Sequence, residues 1–259
     1  MTTRIGELTR VQQLGVVGAA LAAQARAAPH LFRRTKSSRP KTSPPTPGIS
    51  AYHPPDSKLC QNALNEAENY LTPEVLTHSL RCWRFGVALA ELDGYPFDPE
   101  TLYVACLLHD IALGAADDPH VGCFATLGAA RARAFVLENS ATPTDNAILG
   151  NDGTPDISDR VHDAIARHMD VSTPTHIGPE AALLHDAAHL DVVGTRAHQL
   201  DADLVAQVHA DLPRTGFALE FASAMRVEAR LRPRSTAATL WRAGMPLALR
   251  LNPLDRRPT

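Results

Sequence analysis

The sequence predicts an all-α protein built as a single helical bundle. Three observations carry this. From Tyr52 onward, apolar residues recur at helical spacing almost without a break. Two helix starts are written out plainly, as Thr72-Pro73-Glu74 and Asp98-Pro99-Glu100. Each has a capping side chain, a proline at the first helical position and an acid in the first turn. No run of strict apolar/polar alternation is long enough to demand a strand.

The elements follow in chain order. Residues 11–32, VQQLGVVGAALAAQARAAPHLF, predict a short helix. Residues 33–50, RRTKSSRPKTSPPTPGIS, are basic and Ser/Pro-rich and read as a disordered linker. Residues 1–50 hold eight Lys/Arg against one acid, Glu7, for a net charge of +7, which leaves −10 for the rest. This extension is Arg-rich and acid-poor, and a dispensable segment is preferred over a targeting peptide. The folded unit is expected from about residue 51 to 232, loosely attached to the extension. The Thr72 start opens a long helix, VLTHSLRCWRFGVALAEL, apolar on several faces and therefore central. The Asp98 start opens TLYVACLLHDIAL. FATLGAARARAFVLEN predicts a helix ending near Asn139, and residues 140–156 have the composition of a loop. Four more helical stretches follow: DISDRVHDAIARHM, PEAALLHDAAHL, LDADLVAQVHADL and TGFALEFASAMRVEARL. Residues 233–259 are basic and Pro-punctuated, with Trp241, Met245 and several leucines to pack on the domain or on a partner.

Bulk properties narrow the function. The chain has 259 residues, 44% hydrophobic and 20% charged, with a net charge of −3. Nothing global suggests nucleic acid, and no apolar run approaches the roughly 20 residues of a membrane span. Cys60, Cys82, Cys106 and Cys123 form no CxxC pair and read as buried reduced thiols of a cytoplasmic protein. The sequence leaves open whether the chain forms a homo-oligomer.

Chemistry is suggested by the polar residues on the apolar stripes. LLHD occurs twice, within CLLHDIAL and ALLHDAAHLD, and His162-Asp163 is a third His-Asp pair. With 12 His and 18 Asp, chance gives roughly one such pair, so context must decide. Helical spacing puts His109 in a row with Leu102, Cys106 and Leu113, and Asp110 one step round. His168 continues the row Ile157, Val161, Ile165. Asp191 continues Leu184, Ala187, Ala188. His78 lies with Val75, Cys82 and Phe85. A buried carboxylate needs a partner, and a divalent cation satisfies carboxylates and imidazoles together. His and carboxylate ligands suit zinc first, then iron or manganese. His185, Asp186 and His189 read as the ordinary polar side of their helix, and so does His162-Asp163.

The order His, His-Asp, distant Asp resembles the HD superfamily of metal-dependent hydrolases, and most closely its cyanamide hydratase-like subgroup. The segments that carry the resemblance are THSLRCWRFG, VACLLHDIAL, the Phe124–Gly128–Ala129 stretch, VHDAIARHMD and ALLHDAAHLDVVG. Together they span roughly residues 70 to 200. The resemblance implies His78, His109, Asp110 and Asp191 as metal ligands, with Asp191 rather than Asp186 taken from the second LLHD helix. It implies an HD-type bundle acting on a small-molecule substrate, in which hydroxide supplied at neutral pH by an open metal site attacks a nitrile carbon. Asp110 and His168 are the candidate catalytic residues, His168 for substrate contact or proton transfer. Its alternatives, a further metal ligand or a core histidine, stay open. Two other activities stay open as well. One is a phosphohydrolase using Arg81, Arg84 or Arg167 as the phosphate clamp. The other is a dinuclear-iron HD oxygenase in which His120 and His168 complete the ligand order.

Overall fold

The structure is a computed structural model, and it describes residues 4–31, 52–140 and 156–255. The linker expected over residues 33–50 lies outside the described residues, as does most of the loop expected over 140–156. The described residues form helices and short turns, with one isolated bridge between Ile5 and Val121 and no extended strand. The all-α expectation is met.

Eleven α-helices are present among the described residues: α1 Arg10–Leu31, α2 Lys58–Tyr70, α3 Pro73–Asp93, α4 Pro99–Leu108, α5 Phe124–Ser140, α6 Ile157–Arg167, α7 Pro179–Val193, α8 Ala202–Asp211, α9 Phe217–Leu231, α10 Thr236–Arg242 and α11 Met245–Arg250. Both expected starts open helices, but the Thr72 side chain makes no capping hydrogen bond. Pro73 and Pro99 occupy the first turns of α3 and α4, and the Asp98 side chain accepts a hydrogen bond from the Glu100 N–H. At the far end of α3, Gly94 adopts the left-handed conformation that closes a helix without a Cβ clash.

The main core is built where α3, α4 and α7 meet, with α2, α5 and α6 packed around them. α4 is buried from Thr101 to Leu108. A helix apolar on every face belongs in the middle of a bundle, because water on any side would cost the hydrophobic free energy of that side. A second, smaller cluster joins Met169, just after α6, to Phe124, Val192, Phe217, Phe221, Met225 and Met245 from α5, α7, α9 and α11. The candidate site lies between the two clusters.

Tyr52 is buried and begins the second described stretch. Its hydroxyl donates to Glu91, and its carbonyl accepts the Trp83 indole N–H. The C-terminal segment packs on the bundle as expected, with α10 against α9 and α11 against α7. The N-terminal residues make specific contacts of their own. The Ile5 N–H donates to His120 O at 2.8 Å, the Gly122 N–H donates to Ile5 O at 2.8 Å, and Arg4 pairs with Glu7 and Asp117. α1 then lies along α10. All four cysteines are buried and unpaired.

Candidate metal centre

Two helices end on histidines in the same way. His109 is the C-terminal cap of α4 and donates its Nδ1–H to Cys106 O at 2.8 Å. His168 is the cap of α6 and donates its Nδ1–H to Ile165 O at 2.6 Å. The last carbonyls of a helix have no partner within it, and an imidazole three residues on satisfies one of them. That hydrogen bond fixes the ring and its tautomer, so each Nε2 is left with a free lone pair. His78, inside α3, reaches the same state by another route: its Nδ1 lies 2.6 Å from Asp191 Oδ2.

The free nitrogens converge. His78 Nε2 and His109 Nε2 are 3.2 Å apart. Asp110 Oδ2 is 3.3 Å from His109 Nε2 and 3.8 Å from His78 Nε2, and Asp110 Oδ1 is 3.7 Å from His168 Nε2. All four residues are buried. Asp110 Oδ2 and His168 Nε2 are buried and have no hydrogen-bond partner. A buried carboxylate oxygen and a buried imidazole nitrogen without partners are costly, and both face donor atoms of matching metal-ligand chemistry. The residues present therefore fit a divalent transition metal. His109, Asp110 and His168 form one group with metal-ligand spacing, and His78, Cys82 and His109 form another. Burial and the charge of Asp191 raise the Cys82 thiol well above its usual pKa, so it is protonated in the metal-free site.

Asp191, expected as a fourth ligand, is buried with its Oδ2 2.6 Å from His78 Nδ1. Arg81 donates Nε–H to Oδ1 at 2.9 Å and Nη2–H to Oδ2 at 2.8 Å, and Arg214 donates Nη1–H to Oδ1 at 2.6 Å. Burial alone would raise this carboxyl, but the two guanidiniums and the His78 hydrogen bond reverse that and hold it well below the usual carboxylate range. Its oxygens are saturated by these donors. The packing of α3 on α7 brings the Nδ1 edge of His78 to Asp191 and turns the Nε2 edge toward His109.

His168, a candidate for substrate contact, stands among the converging donors. Burial, then the neighbouring His109, pushes its pKa down to about 3, so the ring is neutral. His120 is exposed in the loop after α4 and does not join the group. Of the arginines considered as a phosphate clamp, Arg81 is spent on Asp191 and the carbonyls of Leu212 and Pro213. Arg167 is on the surface near Asp170. His162-Asp163 is a solvated pair, as expected. The reading of His185 and His189 as an ordinary polar face needs correction. His185 is buried and bridges Asp186 and the Asp170 carbonyl. His189 lines the cavity beside the metal group, with its Nδ1–H donated to His185 O at 2.9 Å. α7 is apolar almost all round, so periodicity marked no polar side there.

The cavity itself is narrow, about 20 Å³, which is room for roughly one water. Beyond the histidines and Asp110, its walls are Met169, Ala188, Val192, Val193, Phe221 and Met245. Among the described residues that line it there is no lysine or arginine.

An all-α bundle with a buried His, a His-Asp pair at a helix end and a further histidine converging on one point defines an HD-type metal-binding protein. The comparison with family models agrees: the HD domain model matches residues 75–180. The chain belongs to the HD-domain family, and within it to proteins that are cyanamide hydratase-like. It is similar to two yeast proteins of Saccharomyces cerevisiae, cyanamide hydratase DDI2 and cyanamide hydratase DDI3. Each is 30% identical over 207 residues, covering 78% of this chain and 85% of the relative. The family and these relatives make the chain an enzyme of the HD hydrolase class. No helix among the described residues is long and apolar enough to cross a membrane.

Proposed function

We propose that the chain is a metal-dependent hydratase of small neutral nitriles, with cyanamide as the model substrate. His78, His109, Asp110 and His168 would hold one divalent ion. Three imidazole nitrogens and one carboxylate suit zinc, with iron and manganese as the alternatives. When bound, such an ion supplies a Lewis acid and lowers the pKa of a water molecule toward about 7. The overall reaction adds water across the carbon–nitrogen triple bond, converting cyanamide to urea with no leaving group.

The chain's own residues supply the rest. The Nδ1 hydrogen bonds of His109 and His168 hold their rings rigid, so no reorganisation is needed on binding. Asp110 brings the negative charge that offsets the cation. His189 is neutral and offers Nε2 as an acceptor for a substrate N–H or for water. The Val192, Val193, Phe221 and Met245 walls exclude bulk water.

The observation that carries this reading is the cavity: very small, apolar and without a basic side chain. A phosphate ester would need both volume and cations that are lacking there. The relatives' activity on cyanamide supports the same substrate class. The test is a panel of cyanamide, simple nitriles, nucleotides and phosphate monoesters on the metal-loaded protein. Turnover of cyanamide or nitriles is expected, and turnover of phosphate esters alone rules the reading out.

A further inference from the structure

The family model ends at residue 180, yet Asp191 and several of the groups that hold it, Arg214 and Asn252 among them, lie beyond that point. Arg214, between α8 and α9, donates Nη1–H to both Asp191 Oδ1 at 2.6 Å and Asp191 O at 2.7 Å. Its other edge is held by the C-terminal segment, with Nε–H donated to Asp255 Oδ1 at 2.7 Å. Asn252, itself buried, donates Nδ2–H to Asp191 O at 2.8 Å. Gly194 lets the segment approach this closely. It is left-handed at φ +78°, and a Cβ there would stand 2.3 Å from Pro253. Nearby, Met245 forms one wall of the cavity. The contacts thus run in one line: Asp255 to Arg214, Arg214 to Asp191, Asp191 to the Nδ1 of His78.

We infer that Arg214, tied to Asp255, is a positioning residue that holds Asp191 against His78, so that the C-terminal segment completes the metal centre. The inference rests on the proposed metal centre. A carboxylate that accepts the N–H of a ligand histidine fixes the ring's tautomer and raises its basicity. Removing such a partner weakens metal affinity about 10- to 100-fold. Arg214 acts one step further back. Without it Asp191 keeps Arg81 on its carboxylate and Asn252 on its carbonyl, but loses the one donor that ties Oδ1 and the backbone carbonyl together and links them to Asp255. Arg81 is stacked on the Phe217 ring at 5.0 Å, and Arg214 covers the same ring at 5.3 Å, so the two cations do not substitute for each other's position.

The experiment measures zinc affinity by chelator competition on the full chain, and melting temperature with the metal stripped. Arg214→Gln is expected to bind zinc at least tenfold more weakly, and Arg214→Lys to recover part of the loss. Asp255→Asn is more exposed and will fold even if Arg214→Gln does not. It is expected to weaken zinc binding severalfold, and in the Arg214→Gln background to add little. Cobalt substitution gives a second reading: the visible spectrum of Arg214→Gln should differ from that of the parent chain. Zinc affinities within twofold of the parent for both single variants, with unchanged cobalt spectra, would overturn the inference. A lower melting temperature of the metal-free variants without a change in zinc affinity would do the same. If the parent chain itself fails to retain zinc, it is the metal reading that falls, and that result is distinct from either outcome above.

Discussion

The Nε2 atoms of His78 and His109 lie 3.2 Å apart, while His109 Nδ1–H is donated to a carbonyl and His78 Nδ1 is held by Asp191. Two imidazole lone pairs aimed at each other repel unless a cation lies between or beside them. Asp110 Oδ2 and His168 Nε2 are buried without hydrogen-bond partners on the same spot. Purified protein is therefore expected to carry close to one transition metal per chain. His109→Ala and Asp110→Ala should each abolish its retention, and His185→Ala should keep it. Metal analysis of the purified variants decides this. Retention by His109→Ala with loss by His185→Ala would reverse the roles of the two LLHD copies.

The role of His189 can be separated from metal binding. Its Nδ1–H is committed to His185 O, and burial, then the neighbouring His185, pushes its pKa down to about 3. The ring is neutral, with Nε2 as an acceptor at the cavity wall. One neutral hydrogen bond is worth about 1 kcal/mol, roughly a fivefold effect on binding. His189→Leu should raise the KM for cyanamide by about fivefold while retaining metal, and His189→Gln, which keeps an acceptor, should lose less. Steady-state kinetics with metal content measured on the same samples tests this. An unchanged KM in His189→Leu removes His189 from substrate contact.

Much of the bundle was legible because its signals are local. Thr72-Pro73-Glu74 and Asp98-Pro99-Glu100 start helices in the structure as they do on paper. His109-Asp110 was legible because a charged pair ending an all-apolar helix has no cheap alternative to a site. The hydrogen-bond partners of Asp191 were not legible. Whether a carboxylate faces a metal or the back of a ligand histidine depends on which ring edge the α3–α7 packing presents. It depends also on Arg214, 23 residues away in sequence. His168 was legible as a site residue but not in its role, because one stripe position suits a ligand, a proton carrier or a core residue equally.

Glu228 on α9 and Arg232, the residue that caps its C-terminal end, form a fully buried pair. Glu228 accepts the Phe124 N–H at 3.2 Å, and Arg232 donates to Ala116 O at 2.7 Å, so the pair pins the segment that follows His109-Asp110. Breaking one partner of a buried pair leaves an uncompensated charge and costs about 3–5 kcal/mol. Arg232→Met is expected to lower the melting temperature by about 10 °C. Adding Glu228→Leu to that variant should restore part of the loss, because the orphaned charge is removed. Calorimetry on the two variants checks it, and a double variant less stable than Arg232→Met contradicts it.

Acid should destabilise the metal-free protein through its buried histidines, and the sign follows from the direction of their shifts. Burial, then neighbouring histidines, pushes both His168 and His189 down to about 3, from an ordinary value of 6.5. Above about pH 6.5 these rings are neutral in both the folded and unfolded chains and impose no penalty. As pH falls below that, the unfolded chain takes up protons that the folded chain refuses, so stability declines. The slope is about 1.4 kcal/mol per pH unit for each histidine and persists until the folded values are reached. His78 and His209 shift the same way, again mainly through burial. Urea unfolding of the metal-free chain at pH 7, 6 and 5 should therefore show stability falling steeply. His189→Leu should reduce the slope by about one proton. An identical slope in that variant would mean that the His189 ring titrates normally, and its assignment as a neutral acceptor at the cavity wall would be lost with it.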